Sequence, residues 1–266
     1  MKNFRFNREK REFYFSTGIY KVHGWLTEID KYLIRSICDI QNRKDIFGSV
    51  GEIGVHHGKL FILMYLHIHD GEKAFCVDVF EKQEMNIDES GRGDEEIFHK
   101  NVQVYAGDYF VEAICDSSLN ISSDDIRRKV GDCRLISIDG GHTKSITEND
   151  LNICEGAMSN EGVIIVDDYF NYAWPGVSEG VVSYFANRPD RLAPFAIGPN
   201  KVFICRPALH DSYRQAMREA SREMLFGTKE FLDHQVDIYR GLPLGASIPR
   251  NPLRRIARKI IRSIKA

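Results

Sequence analysis

No stretch of the 266-residue sequence approaches the ~18–20 consecutive apolar residues that a membrane-spanning helix needs. The opening "MKNFRFNREKREFYF" has charges but lacks the apolar segment of a secretion signal, so a cytoplasmic protein is expected. Also missing are any Cys-x-x-Cys pair and any local cluster of cysteine with histidine. The six cysteines, Cys38, Cys76, Cys115, Cys133, Cys154 and Cys205, are scattered, which suits reduced thiols packed as small apolar residues rather than disulfides or a zinc knuckle. There is no excess of one charge either. A net charge of −2 argues against a generally basic nucleic-acid binder. Without internal repeats or low-complexity tracts, a chain of this length implies one large domain with appendages.

The charge is unevenly placed. From Arg250 to Lys265 there are seven Lys and Arg residues and no acid, so the rest of the chain carries −9 of the total of −2. Within "NPLRRIARKIIRSIK", Leu253, Ile256, Ile260 and Ile264 fall on one stripe and the bases on the remainder, the pattern of a basic amphipathic helix. It suits an anionic lipid surface, as a peripheral contact at the inner face of the membrane. It equally suits the acidic body or a second copy of the chain in a homo-oligomer.

From residue 49 onward, short β-type apolar runs alternate with helical patterns, the sign of a mostly parallel α/β sheet. Seven strands are expected, at 49–54, 74–80, 102–107, 134–140, 162–168, 194–198 and 201–206. Helices are expected over 59–70, 109–119, 144–158 and 176–188. Only "PN" separates the last two strands, which predicts an antiparallel hairpin. Upstream, Ile29, Leu33, Ile37 and Ile40 recur at helical spacing, and 208–239 reads as one or two further helices. The expected organisation is an N-terminal helical cap over 1–45, the sheet domain over 46–206, C-terminal helices over 207–249 and the basic tail over 250–266.

In open parallel sheets ligands collect beyond the carboxyl ends of the strands, so residues just past each apolar run matter most. The first run ends "GEIGVHHGK". Gly54 permits a tight turn, Gly58 lets the next helix start close to the sheet, and the amides between them can face a ligand. Asp78 ends the second run, where an acid can accept from two ribose hydroxyls. Asp139 ends the fourth run, and Asp167 and Asp168 end the fifth. With adjacent strands ~4.8 Å apart, their carboxylates can converge on a hard cation such as magnesium. Successive strand residues face opposite sides, however, so both members of the Asp pair can ligate only if the strand ends between them. His142, three residues beyond Asp139, is placed to take a proton from a hydroxyl bound there. By contrast His67 and His69 lie two apart, do not share a helix face, and are expected as helix-end residues.

With these residues assembled, the core from about 49 to 206 resembles the class I S-adenosylmethionine-dependent methyltransferase fold, a Rossmann-like seven-stranded sheet with an antiparallel C-terminal hairpin and helices on both faces. Within it, "IDGGHT" and "VDDYFNYAWPGVSEGV" are similar to the metal-dependent sugar O-methyltransferases of macrolide and aminocoumarin tailoring, in methyltransferase family 24. The resemblance implies a methionine-binding motif over Glu52, Gly54, His57 and Gly58, a ribose acid at Asp78, and Asp108 near the adenine. It further implies magnesium at Asp139, Asp167 and Asp168, a base at His142, a sugar or other small-molecule acceptor, and a substrate wall at Trp174, Pro175 and Gly176. His56 stands where the family usually has the middle glycine of the first motif. Two other readings share this fold: an iron-dependent oxidoreductase resembling cephalosporin hydroxylases, and a scaffold without catalysis.

Overall fold

The computed structural model describes residues 4–107 and 110–242, so Asp108 and the tail over 250–266 lie outside the described residues. Two helices precede the sheet, α1 (Arg8–Ser16) and α2 (Glu28–Arg43). Thr27 starts α2 by accepting from the Asp30 amide, and Leu33, Ile34, Ile37 and Ile40 bury one face of it.

Alternation then follows: β1 (Ser49–Ile53), α3 (Lys59–Tyr65), β2 (Ala74–Asp78), α4 (Glu95–Ala106), β3 (Glu112–Cys115), α5 (Ser123–Val130), β4 (Cys133–Ile138), α6 (Lys144–Ala157), β5 (Met158–Val166) and α7 (Pro175–Asn187). The chain continues through β6 (Ala193–Ile197), β7 (Val202–Cys205), α8 (His210–Ala220), β8 (Leu225–Phe231) and β9 (His234–Tyr239). The sheet order is β3-β2-β1-β4-β5-β7-β6-β9-β8. The first five strands are parallel, and β7 runs antiparallel between β5 and β6.

Strand periodicity divides the apolar residues between the two faces. Val50, Leu135 and Val163 lie in register and pack with α1 to α4 and α8. Ile136 and Ile164, one residue on, pack on the opposite side with α5, α6 and α7. All six cysteines are free, and all but Cys115 are buried. No described helix is long and apolar enough to cross a membrane.

Three expectations need correction. The sheet has nine strands, not seven, because Leu225–Phe231 and His234–Tyr239 form a hairpin where helices were expected. Its two-residue turn, Leu232 and Asp233, has φ of 49° and 62°, the left-handed pair of a type I′ turn without the usual Asn-Gly signal. Residues 102–107 are not a strand. They complete α4, whose Phe98, Val102 and Ala106 bury at a four-residue spacing before Gly107 ends the helix. The third strand instead falls at Glu112–Cys115, inside the stretch expected to be helical, as a four-residue half-buried edge.

Candidate active site

The carboxyl ends of β1, β2, β4 and β5 open into one cavity of about 900 Å³. Gly54 sets the first edge. Its φ is +82°, and a Cβ there would lie 1.8 Å from the Asp139 carbonyl oxygen, so the turn after β1 can sit against the end of β4 only without a side chain. Asp78 lines the same wall, accepting from the His56 amide at 2.7 Å and the Phe80 amide at 2.8 Å. Burial outweighs these bonds and raises its pKa.

Asp139, just past β4, donates its amide to the Ile53 carbonyl and lines the cavity. Burial and the neighbouring Asp167 carboxylate push its pKa well above the carboxylate range. Asp168 has φ of 59°, so the chain reverses hand directly after β5 and the two consecutive acids part. Asp168 turns to His142, with Oδ2 3.0 Å from Nε2, and its Oδ1 accepts from Asn171 at 2.9 Å and Asn200 at 2.6 Å. Asp167 pairs with the buried Lys201, and its Oδ1 accepts from Asn200 at 2.8 Å.

One ligating atom from each of Asp139, His142 and Asp168 lies within 4.8 Å of the others. Asp167, expected as a further ligand, is not in this trio and pairs with Lys201.

His142 is engaged on both ring nitrogens. Nδ1 lies 2.9 Å from Asp88 Oδ2, the backbone amide donates to the same carboxylate, and Trp174 stacks on the ring at 4.2 Å between centroids. Burial opposes the positive form, but the bonds to Asp168 and Asp88 outweigh it and raise the pKa to about 9. The imidazole is therefore protonated near neutrality in this arrangement. Gly176, in the first turn of α7, would place a Cβ 2.4 Å from the His142 carbonyl, so the close seating of that helix depends on its lacking a side chain.

The remaining expected residues sit differently. Glu52 is buried behind Asp139, its Oε2 has no hydrogen-bond partner, and burial with the Asp139 charge raises its pKa well above normal. Neither Glu52, His57 nor Gly58 lines the cavity, whereas Gly54, His56 and Asp78 do. Gly58 caps α3 in a left-handed conformation. Asp88, Asn200 and Lys201 were not anticipated. Asp88 reaches His142 from the segment between β2 and α4, Asn200 and Lys201 reach the acids together from the connection between β6 and β7, and a lysine leading an apolar run carries no sequence signal for burial.

Residues 52–169 match a family model described as a methyltransferase domain. The O-methyltransferase NovP has 20% identity and a TM-score of 0.54, over 68% of this chain and 81% of that one. Cofactor-bound Rv0187 from MTB has 14% identity and a TM-score of 0.51, over 72% and 85%. No curated protein matches the sequence. The fold is similar to that of these two structures, and the match to the methyltransferase domain model lies at the centre of the chain.

Proposed function

We propose that the protein is an S-adenosylmethionine- and magnesium-dependent O-methyltransferase acting on a sugar or glycan hydroxyl. One observation carries this reading: Gly54 and Asp78 wall the same cavity as Asp139, His142 and Asp168, so a cofactor turn and an acid cluster face a shared space. Its volume of about 900 Å³ suits a nucleoside cofactor with a small acceptor. Both tryptophans of the chain, Trp25 and Trp174, line it, offering flat aromatic faces to a sugar ring.

The residues present fit both absent groups. Asp78 suits the ribose hydroxyls, and Ser117 and Ser118, beyond β3, suit the adenine end. Asp139 and Asp168 offer hard oxygens to a magnesium ion, and the raised pKa of Asp139 marks negative charge that a cation would relieve.

When bound, the sulfonium supplies an electrophilic methyl group and the metal acidifies a coordinated hydroxyl. The chain's own residues do the rest. Asp139 and Asp168 fix the acceptor's position. With Asp168 turned away and the Nε2 proton released to solvent, neutral His142 takes the hydroxyl proton at Nε2, and Asp88 holds the ring through Nδ1. Trp174 keeps the imidazole plane facing the cavity.

The test is calorimetric titration with S-adenosylmethionine and S-adenosylhomocysteine, each with magnesium and with chelator. Micromolar binding followed by methylation in a sugar and glycolipid screen is expected. No binding in either condition overturns the reading and favours an oxidoreductase or scaffold.

A further inference from the structure

A second constellation lies beside the cofactor turn, away from the acids. His56 and His57 follow β1, and His23 reaches them from the segment between α1 and α2. One ring nitrogen from each lies within 4.8 Å of the others. The His56 and His57 ring centroids are 3.9 Å apart, and His23 stands 5.2 and 5.5 Å from them. His56 holds φ of 50°, a conformation uncommon for a non-glycine residue and costing about 1 kcal/mol or more. Its Nδ1 is buried without a hydrogen-bond partner.

Three imidazoles do not gather in this way for packing alone. Each presents a polar nitrogen that must find a partner, and a buried orphan costs about 1–3 kcal/mol. Among the described residues, no carboxylate is hydrogen-bonded to any of the three rings. Burial and the neighbouring rings hold His56 down to about 4, and burial and His23 lower His57, so both are neutral near pH 7. Neutral imidazole is the form that ligates a metal.

We propose that His23, His56 and His57 form a site for a divalent transition metal of the zinc class, separate from the oxygen-rich site at Asp139 and Asp168. Three nitrogen donors select late first-row ions and leave magnesium to the acids. The fourth position stays open to water, since His23 is exposed. Gly24, Trp25, Leu26 and Thr27 follow His23 directly and line the cavity, and Gly24 packs on Lys59 at the start of α3. The ion therefore clamps this strap to the turn that replaces the usual glycine with His56, and fixes one wall of the cavity.

The test uses the full chain without an added histidine tag, stripped with chelator and titrated with cobalt(II), whose visible ligand-field bands report nitrogen ligation. Uptake of one equivalent is expected, undisturbed by excess magnesium and unchanged in Asp168→Asn. His23→Ala and His57→Ala should each weaken binding by more than the ~10–100-fold that loss of an outer-shell partner costs. Because His23 is exposed, its substitution leaves packing intact, and circular dichroism checks this for both variants. Absence of bands at equimolar cobalt, or bands lost in Asp168→Asn and kept in His23→Ala, overturns the proposal.

Discussion

His142 Nε2 lies 3.0 Å from Asp168 Oδ2 in an arrangement that leaves neither ring nitrogen of His142 free, since Asp88 occupies the other at 2.9 Å. The imidazole is thus an ion-pair centre in the resting protein, and its chemistry depends on which carboxylate lets go.

The first consequence is a pH dependence of stability in chelator. The folded pKa of about 9 exceeds the unfolded value of ~6.5. The stabilisation is complete below ~6.5 and is lost as pH rises through about 9. Thermal unfolding between pH 6.5 and 9.5 should show the melting temperature of the wild type falling more than that of His142→Gln, by on the order of 2–4 °C. Parallel curves for the two proteins would contradict this.

Asp88→Asn removes one of the carboxylates that retain the proton on His142. The acid limb of the pH profile of kcat/KM should move to lower pH by roughly one unit, which needs an interaction of only ~1.4 kcal/mol. An unmoved limb would assign the profile to another group.

Asp139→Asn and Asp168→Asn should lower magnesium-stimulated turnover by ~100-fold or more while leaving S-adenosylhomocysteine affinity within a few-fold. Asp78→Ala should instead weaken cofactor binding, with magnesium affinity retained. Equal loss of both properties in every variant, seen in parallel calorimetry, would indicate misfolding.

At the opposite end of β4, Arg134 and Glu72 form a fully buried pair, with Nε to Oε1 at 2.7 Å and Nη2 to Oε2 at 3.0 Å. Burial opposes the Glu72 charge, but its bonds to His69 and Arg134 outweigh this and lower its pKa to about 2. Arg134→Met strands that carboxylate and should cost about 3–5 kcal/mol in urea denaturation. Adding Glu72→Gln should recover part of the loss, whereas a single-variant cost under ~1 kcal/mol would show the pair to be dispensable.

Much of this was legible in the sequence. The runs at β2, β4 and β5 announced themselves because Phe75 to Val77, Leu135 to Ile138 and Val163 to Val166 are largely apolar, as buried parallel strands are, and the strand ends did so because Gly54, Asp78, Asp139 and Asp168 follow abruptly. Val102 to Gly107 misled because a short apolar run fits either period, and the face that buries Phe98 decides between them. The partners of His142 and Asp167 were hidden for a different reason. Asp88 lies 54 residues from His142, and Lys201 lies 34 from Asp167, so only the tertiary fold brings each pair together. Adjacent identical letters also concealed the opposite destinations of Asp167 and Asp168.

The hairpin of β8 and β9 pairs with β6 through β9 and makes β6 an interior strand. Its hydrogen-bonding rim is already occupied, and the new border at β8 presents the charged, exposed Lys229 and Glu230. The border on the other side, β3, is only four residues long. Edge-to-edge pairing of two such sheets through these borders is thereby disfavoured.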